Sequence, residues 1–203
     1  MGKGEETRQA ILDEALALAS KVGVGALSIG GLADRTGMSK SGLFAHFGSK
    51  EEMQLAVVRA AEERFLATVF RPALRQPKGL ARLRAMFENL IGWPRKAGLP
   101  GGCPLNAAAH EFDDQPGAVR DALAYNQTAW RKTMAEAVAR AVETGELRAD
   151  TDPDQFAFEM AGIDMACDNA RRLLDDPDAD RRAMAAFDRL VRDHLVKESL
   201  HAN

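Results

Sequence analysis

Apolar residues return every three or four positions along nearly the whole chain, the period of a helix with one buried face. Ile11, Ala15, Leu18 and Val22 mark the first such face, and the run Val22-Gly23-Val24-Gly25 ends it. A short helical segment follows over about 28–36, then Gly37, then a second over about 39–47, closed by Gly48. Ser49 and Glu52 form a capping box at the head of a long helix. Its Met53, Val57, Ala61, Phe65 and Val69 make a ridge at strict four-residue spacing that stops before Pro72. The next helix is predicted over about 79–96, with Leu83, Phe87, Leu90 and Ile91 on one side and Pro94 kinking or shortening its end. A turn at 98–102 leads to a short helix from near Pro104 to Phe112 and a break at 113–116. A long helix is predicted over about 117–144, carrying Val119, Leu123, Trp130, Met134 and Ala137. Asp152-Pro153-Asp154-Gln155 reads as a helix start in which Asp caps, Pro stands first and Gln closes the box. That helix runs to about Leu174, and beyond Pro177 a last helix carries Met184, Phe187, Val191 and Leu195. No segment reads as a strand. Residues 2–6 and 198–203 are expected to fray.

Composition agrees. Of 203 residues, 46% are apolar and 28% charged, which suits a globular chain and argues against disorder. Aromatics make up only 6%, and β-branched residues are sparse beside Ala, Leu, Arg and Glu, so helix is favoured over sheet. The expected fold class is all-α. Formal charge is 27 − 30 = −3, so any nucleic-acid surface must be a local patch. Two cysteines, Cys103 and Cys167, without a CxxC, exclude a disulfide scaffold and a zinc finger and fit a reducing cytoplasm. No apolar run reaches the roughly 18 residues of a membrane span, and the polar start lacks the apolar centre of a signal peptide. A cytoplasmic protein with no membrane partner is expected.

Catalysis finds little support. His110-Glu111 lacks the second histidine of HExxH, and GxSxG, a Walker loop and a GxGxxG after a strand are all missing. The histidines at 46, 110, 194 and 201 have no metal-ligand spacing. No catalytic residue, metal or cofactor is expected. An all-helical enzyme remains the alternative, as does a protein-interaction module.

The informative stretch is LSIGGLADRTGMSKSGLFAHFGSK, from Leu27 to Lys50. Two short helices cross closely only where a small residue lies between them, and Ala33 is small. The tight turn needs positive φ, and Gly37 tolerates it. Leu32, Met38, Leu43 and Phe47 would bury the pair. This is the logic of a helix-turn-helix, whose second helix enters the major groove N-terminal end first. Ser39, Lys40 and Ser41 stand at that end, with side chains that reach phosphates and base edges. From Ser28 to Lys50, Arg35, Lys40 and Lys50 stand against Asp34 alone, a local +2 on a chain of −3. Lys50 sits in the first turn of a helix, where a cation opposes the dipole, which favours a functional use for it.

The stretch resembles the DNA-binding domain of the tetracycline-repressor-like (TetR) family of bacterial regulators. The resemblance rests on Leu32-Ala33, Gly37-Met38-Ser39, Gly42-Leu43-Phe44-Ala45-His46-Phe47 and Ser49-Lys50-Glu51-Glu52-Met53, and covers about residues 7–55. It implies an N-terminal three-helix helix-turn-helix domain, 1–52, on a larger C-terminal helical domain, 53–203, that binds a small molecule and dimerises. Carried over, Ser28 caps the first short helix near a phosphate, Ser39, Lys40 and Ser41 open the recognition helix, and His46 and Lys50 grip phosphates. Phe44 stands where the family has Tyr, so a phosphate-binding hydroxyl is missing. Gly30-Gly31 stands where the family has longer side chains. The implied partners are double-stranded DNA carrying a palindromic operator, a small-molecule inducer and a second copy of the chain. The implied activity is that of a ligand-responsive regulator, a repressor above all.

By periodicity alone, the large apolar residues beyond Phe65 fit a core as well as a pocket. The resemblance makes Phe65, Phe87, Ile91, Asn106, Trp130, Met134, Phe156 and Met160 candidate ligand contacts, and the last two long helices a dimer bundle. Asp164, four residues before Asp168, fits an acidic pocket wall or a solvated dimer edge. Cys103 follows Gly101-Gly102 and precedes Pro104, the setting of a helix N-cap, where thiolate is favoured. It is a candidate ligand-site or electrophile-sensing residue, set against a small buried one. Cys167 reads as core.

Overall fold

The computed structural model describes residues 2–196, so the expected fraying of 198–203 lies outside the described residues. The chain is all-α. The helices are α1 (Lys3–Val22), α2 (Ile29–Thr36), α3 (Lys40–Phe47), α4 (Lys50–Phe65), α5 (Arg71–Ala73), α6 (Leu80–Leu90), α7 (Trp93–Lys96), α8 (Pro104–Phe112), α9 (Ala118–Glu143), α10 (Pro153–Arg172) and α11 (Ala179–His194). Residues 3–6, expected to fray, are the first turn of α1. No strand occurs among the described residues beyond a single antiparallel bridge, Leu147 to Leu195. That bridge ends the last helix one residue before Leu195, which the periodicity had placed inside it.

The chain forms two compact units, Met1–Phe65 with Pro94–Asn126, and Leu66–Trp93 with Gln127–Asn203. The first has its core where α1, α2, α3 and α4 meet, in Leu12, Leu16, Leu32, Leu43, Met53 and Val57. On α1 the buried stripe is Ile11, Leu12, Ala15, Leu16 and Ala19, while Leu18 is half-buried and Val22 exposed. The true stripe follows pairs one residue apart repeated every four, which tracks a 3.6-residue turn more closely than single residues at the predicted spacing.

Three predicted boundaries move for local reasons. The ridge from Met53 is continuous only to Phe65, after which Leu66–Phe70 forms a π turn leading into α5. Four-residue spacing overshoots the α-helical turn, and a wider turn takes up the excess. The helix expected over 79–96 stops at Leu90. Ile91 is extended, at φ −61 and ψ 114, and a separate turn of helix, α7, carries Pro94. At the head of α10, Asp152 Oδ1 accepts from the amides of Asp154 and Gln155 at 2.9 and 3.2 Å, as the cap predicts. The Gln155 carboxamide does not close the box; it donates to Glu159 at 2.9 Å.

The second unit is centred on Leu83, Phe87, Met134, Val138, Phe156, Met160 and Phe187. Phe87 and Phe187 stack at 4.3 Å between centroids, 10° from parallel. Arg84 covers the Phe187 ring at 5.5 Å and pairs with Asp188 at 2.7 Å. Helices α10 and α11 pack along small residues, Ala179 and Ala183 among them. There Arg171 pairs with Asp168 at 2.8 Å and Asp180 at 3.1 Å. Cys167 is buried beside this group, its thiol directed to Asp180 Oδ1 at 3.7 Å. Burial pushes the thiol up to about 11; Arg171 opposes that, and the carboxylates of Asp180 and Asp164 add to it.

Two outcomes follow from this packing. Phe87→Ala removes the central ring and is expected to lower the free energy of unfolding by about 3–5 kcal/mol, read from urea denaturation. Because burial keeps Cys167 neutral, its alkylation by iodoacetamide, followed by peptide mass mapping, should keep accelerating to about pH 11. At pH 8 its thiolate fraction should be roughly 100-fold below that of a thiol at the ordinary value of 9.0. A plateau near pH 9 would show the burial to be wrong.

Candidate nucleic-acid interface

Ser28 starts α2: its Oγ accepts from the Gly31 amide at 3.1 Å. The helix ends at Gly37, whose φ of 67 and ψ of 20 place it in the left-handed region, and both Gly37 N and Met38 N donate to Ala33 O. A side chain at Gly37 would strain that turn. Ser39 starts α3 in the same way, its Oγ accepting from Gly42 N at 3.1 Å. Leu32, Ala33, Leu43 and Phe47 are buried between the helices, and Arg8 covers the Phe47 ring at 5.3 Å. Met38, expected in that core, is half-buried. It follows the turn, and the core is complete without it.

What α3 buries fixes what it presents. Its first turn carries Lys40 and Ser41, both exposed, and the Ser41 hydroxyl lies 3.2 Å from that of Ser39. One turn on, Phe44 is 53% exposed, while Leu43 and Phe47 are buried. His46 is half-buried at the end of the helix. The Lys40 stem runs across α2: a Cβ at Gly30 would lie 3.3 Å from Lys40 Cε. The glycine in the first turn of α2 thus leaves room for the lysine of α3. Arg35, part of the predicted basic patch, pairs with Glu14 of α1 at 2.9 Å and ties α2 down. Lys40 and Lys50, the other two cations of that patch, are both exposed.

Lys50 opens α4, where Ser49 Oγ accepts from Glu52 N at 3.0 Å. Its ammonium donates to Gly25 O at 3.0 Å, in the loop between α1 and α2. Gln54 is buried one turn further along, and its carboxamide donates to Val24 O at 3.1 Å. From α8, Glu111 Oε2 accepts from Gly25 N at 2.7 Å. Val22, Gly25, Lys50, Gln54, Glu111 and Phe112 line an open groove of about 600 Å³. The sequence reading overlooked Gln54 and Glu111. The available signal was a polar residue beside an apolar ridge, at Gln54 next to Met53 and at Glu111 next to Phe112.

The candidate ligand contacts fall in both units. Phe65, Cys103 and Asn106 belong to the first. Phe87, Ile91, Trp130, Met134, Phe156, Met160 and Asp164 belong to the second. Phe87, Ile91, Met134, Phe156 and Met160 are buried. Trp130 is half-buried, edge-on to Phe70 at 5.1 Å, and Asp164 is half-buried on α10. Cys103 is the N-cap of α8, 7% exposed, with its Sγ accepting from Asn106 N at 3.4 Å. A cleft of about 410 Å³ in the second unit is lined by Leu74, Lys78, Arg82 and Met86 on one side and Thr133, Glu136, Ala137 and Arg140 on the other. Among the described residues, no group of three or more His, Cys, Asp or Glu is placed to hold a metal. No helix of the described residues is long and apolar enough to cross a membrane.

Solved structures share this fold. A TetR-family transcriptional regulator from Cytophaga hutchinsonii superposes with a TM-score of 0.84 at 19% identity, covering 97% of this chain and 98% of that one. One from Chloroflexus aurantiacus J-10-FL gives 0.81 at 26% identity, covering 97% and 100%. AibR, solved in complex with isovaleryl coenzyme A and operator DNA, gives 0.70 at 23% identity, covering 89% and 97%. No curated protein matches the sequence. Residues 11–57 match the bacterial regulatory proteins of the tetR family, and residues 79–187 match the tetracyclin repressor-like C-terminal domain. With the helix-turn-helix built as described, these matches make the chain a member of the TetR family of DNA-binding transcriptional regulators.

Proposed function

We propose that the chain is a repressor that binds a palindromic operator as a homodimer and is released by a small-molecule inducer. In this reading residues 1–52 read DNA in the cytoplasm, and residues 53–203 bind the inducer and dimerise. The observation that carries it is the face of α3. Leu43 and Phe47 are sealed into the core, while Lys40, Ser41 and Phe44 are exposed. The exposed ring is available to a partner. In the major groove that partner is a thymine methyl, beside phosphates taken by Ser28, Lys40, His46 and Lys50.

Dimerisation is supported by α10, which exposes Phe158 and Met165, seven residues apart, with Gly162 exposed between them. Residues at that spacing share a helix face, and a flat apolar face with a small residue at its centre suits close packing against a second copy. Two recognition helices would then meet half-sites about 34–36 Å apart. The cleft between Leu74–Met86 and Thr133–Glu143 supports the inducer: its volume suits a small molecule, and it joins apolar surface to charges of both signs. Release through electrophile modification of Cys103 has the N-cap geometry in its favour and burial against it, so a reversible ligand is the preferred trigger.

The test is selection of genomic fragments by the purified protein, followed by binding isotherms across salt. A palindrome is expected. Lys40→Ala and Lys50→Ala should each weaken binding evenly across sequences and, by removing one phosphate contact from each of two protomers, flatten the slope of log K against log salt by about 1.8. An unchanged slope contradicts the phosphate role. Absence of enrichment moves an all-helical enzyme or an interaction module forward. Cys103→Ser should leave release by the inducer intact; loss of release in that variant would favour the thiol route.

A further inference from the structure

The helix-turn-helix does not stand alone in its unit. Residues Pro94–Asn126 pack with it, although they fall within the span matched by the C-terminal domain. The segment from Gly101 to Glu111, which carries α8, meets α1 and the loop that follows it at its two ends. At its start, Gly102 N donates to Ser20 O near the end of α1 at 2.8 Å, and a Cβ at Gly101 would lie 1.8 Å from that same oxygen. At its finish, the Glu111 carboxylate accepts from Gly25 N at 2.7 Å, and a Cβ at Gly23 would lie 1.6 Å from Glu111 Oε1. Both contacts therefore occupy space that glycine leaves open, and at neither place would a larger residue allow the approach.

Gly25 is a shared node. Its N–H is held by Glu111 of α8, and its carbonyl holds the Lys50 ammonium of α4 at 3.0 Å. Three residues on, Ser28 caps α2. The Lys50 ammonium has three donors, so one bond to Gly25 O fixes its position and leaves two for a phosphate. We propose that Glu111 is a positioning residue. Through Gly25 it sets where Lys50 stands, and so makes DNA affinity depend on the placement of α8. Without that carboxylate the Gly25 N–H loses its acceptor, and the carbonyl under Lys50 is steadied by Gln54 alone, whose Nε2 lies 3.1 Å from Val24 O and 3.5 Å from Gly25 O. The inference rests on the DNA-binding reading above, and failure of that reading would appear in the unsubstituted protein.

The test uses operator DNA in fluorescence anisotropy with the full chain, together with amide hydrogen exchange at Gly25 without DNA. Glu111→Ala should weaken operator binding about tenfold and expose the Gly25 amide to exchange. Glu111→Gln keeps an acceptor at the same reach and should stay within about twofold of the parent chain. Glu111→Asp keeps the charge but shortens the reach; it should behave as Glu111→Ala does, and it serves if the alanine variant fails to fold. The decisive comparison is the pair with Lys50→Ala. If Glu111 acts through Lys50, the double variant binds no more weakly than Lys50→Ala alone. Additive losses would overturn the proposal, as would parental binding by Glu111→Ala and Glu111→Asp, or unchanged exchange at Gly25. If the unsubstituted chain binds no DNA, both readings fall together. If only the variants behave as the parent does, this one falls alone.

Discussion

The backbone between α1 and α2 has no helix of its own to satisfy its polar groups, and everything presented to a duplex is hung from it. Two of its bonds are local, Gly23 N to Ala19 O and Leu27 N to Val24 O. The rest come from elsewhere in the chain: Gln54 on Val24 O, Lys50 on Gly25 O and Glu111 on Gly25 N. Backbone groups away from water must be paired, so these side chains decide where the loop can lie. The loop ends at Ser28, where α2 begins, and α2 carries the turn that aims α3. The orientation of the recognition helix is thus set partly by Gln54 and Glu111, which never touch DNA in the proposed reading, alongside Lys50, which does.

Within the helix-turn-helix the same economy of space recurs. Ala33 allows the two helices to approach, and Gly37 allows the chain to reverse between them. Gly30 costs α2 some helix propensity, since glycine is about 1 kcal/mol worse than alanine inside a helix. In return the Lys40 stem crosses where a side chain would crowd it. Phe44 follows from the same geometry. A tyrosine there would carry a hydroxyl to a phosphate; the phenylalanine offers only a ring, so this position contributes apolar contact and shape in place of a backbone anchor.

How much of this was legible in the sequence depended on how far apart the partners lie. The caps at Ser28, Ser39, Ser49 and Asp152 use amides two or three residues on, and each reads directly from the chain. The turn at Gly37 is equally local. Glu111 and Gly25 are 86 residues apart, and nothing in the neighbourhood of either announces the other. Periodicity also misjudged the face of α1, because Leu18 and Val22 obey the spacing but look away from the core, while Leu12 and Leu16 fill it. A spacing rule finds a helix more reliably than it finds the side of that helix that is buried.

The ligand site shows the same limit from another direction. Large apolar residues at helical spacing are what a core needs, and Phe87, Met134, Phe156 and Met160 are all buried in one. A ligand needs surface that the protein leaves uncovered, which arises where two helices diverge and longer polar side chains line the gap. In the second unit a cleft of that kind is bounded by Lys78, Arg82, Glu136, Arg140 and Glu143. Arg82 is held there by the carbonyls of Leu74 and Gln76, and Arg140 by Glu143, so the charges are partly satisfied before any ligand arrives. An occupant that replaces those bonds must supply acceptors of its own, because stripping an arginine of its partners in a half-closed cleft leaves a desolvated charge. If that cleft holds the proposed inducer, the chemistry that fits it is an apolar body carrying acceptor oxygens, selected by residues that a search for hydrophobic stripes passes over.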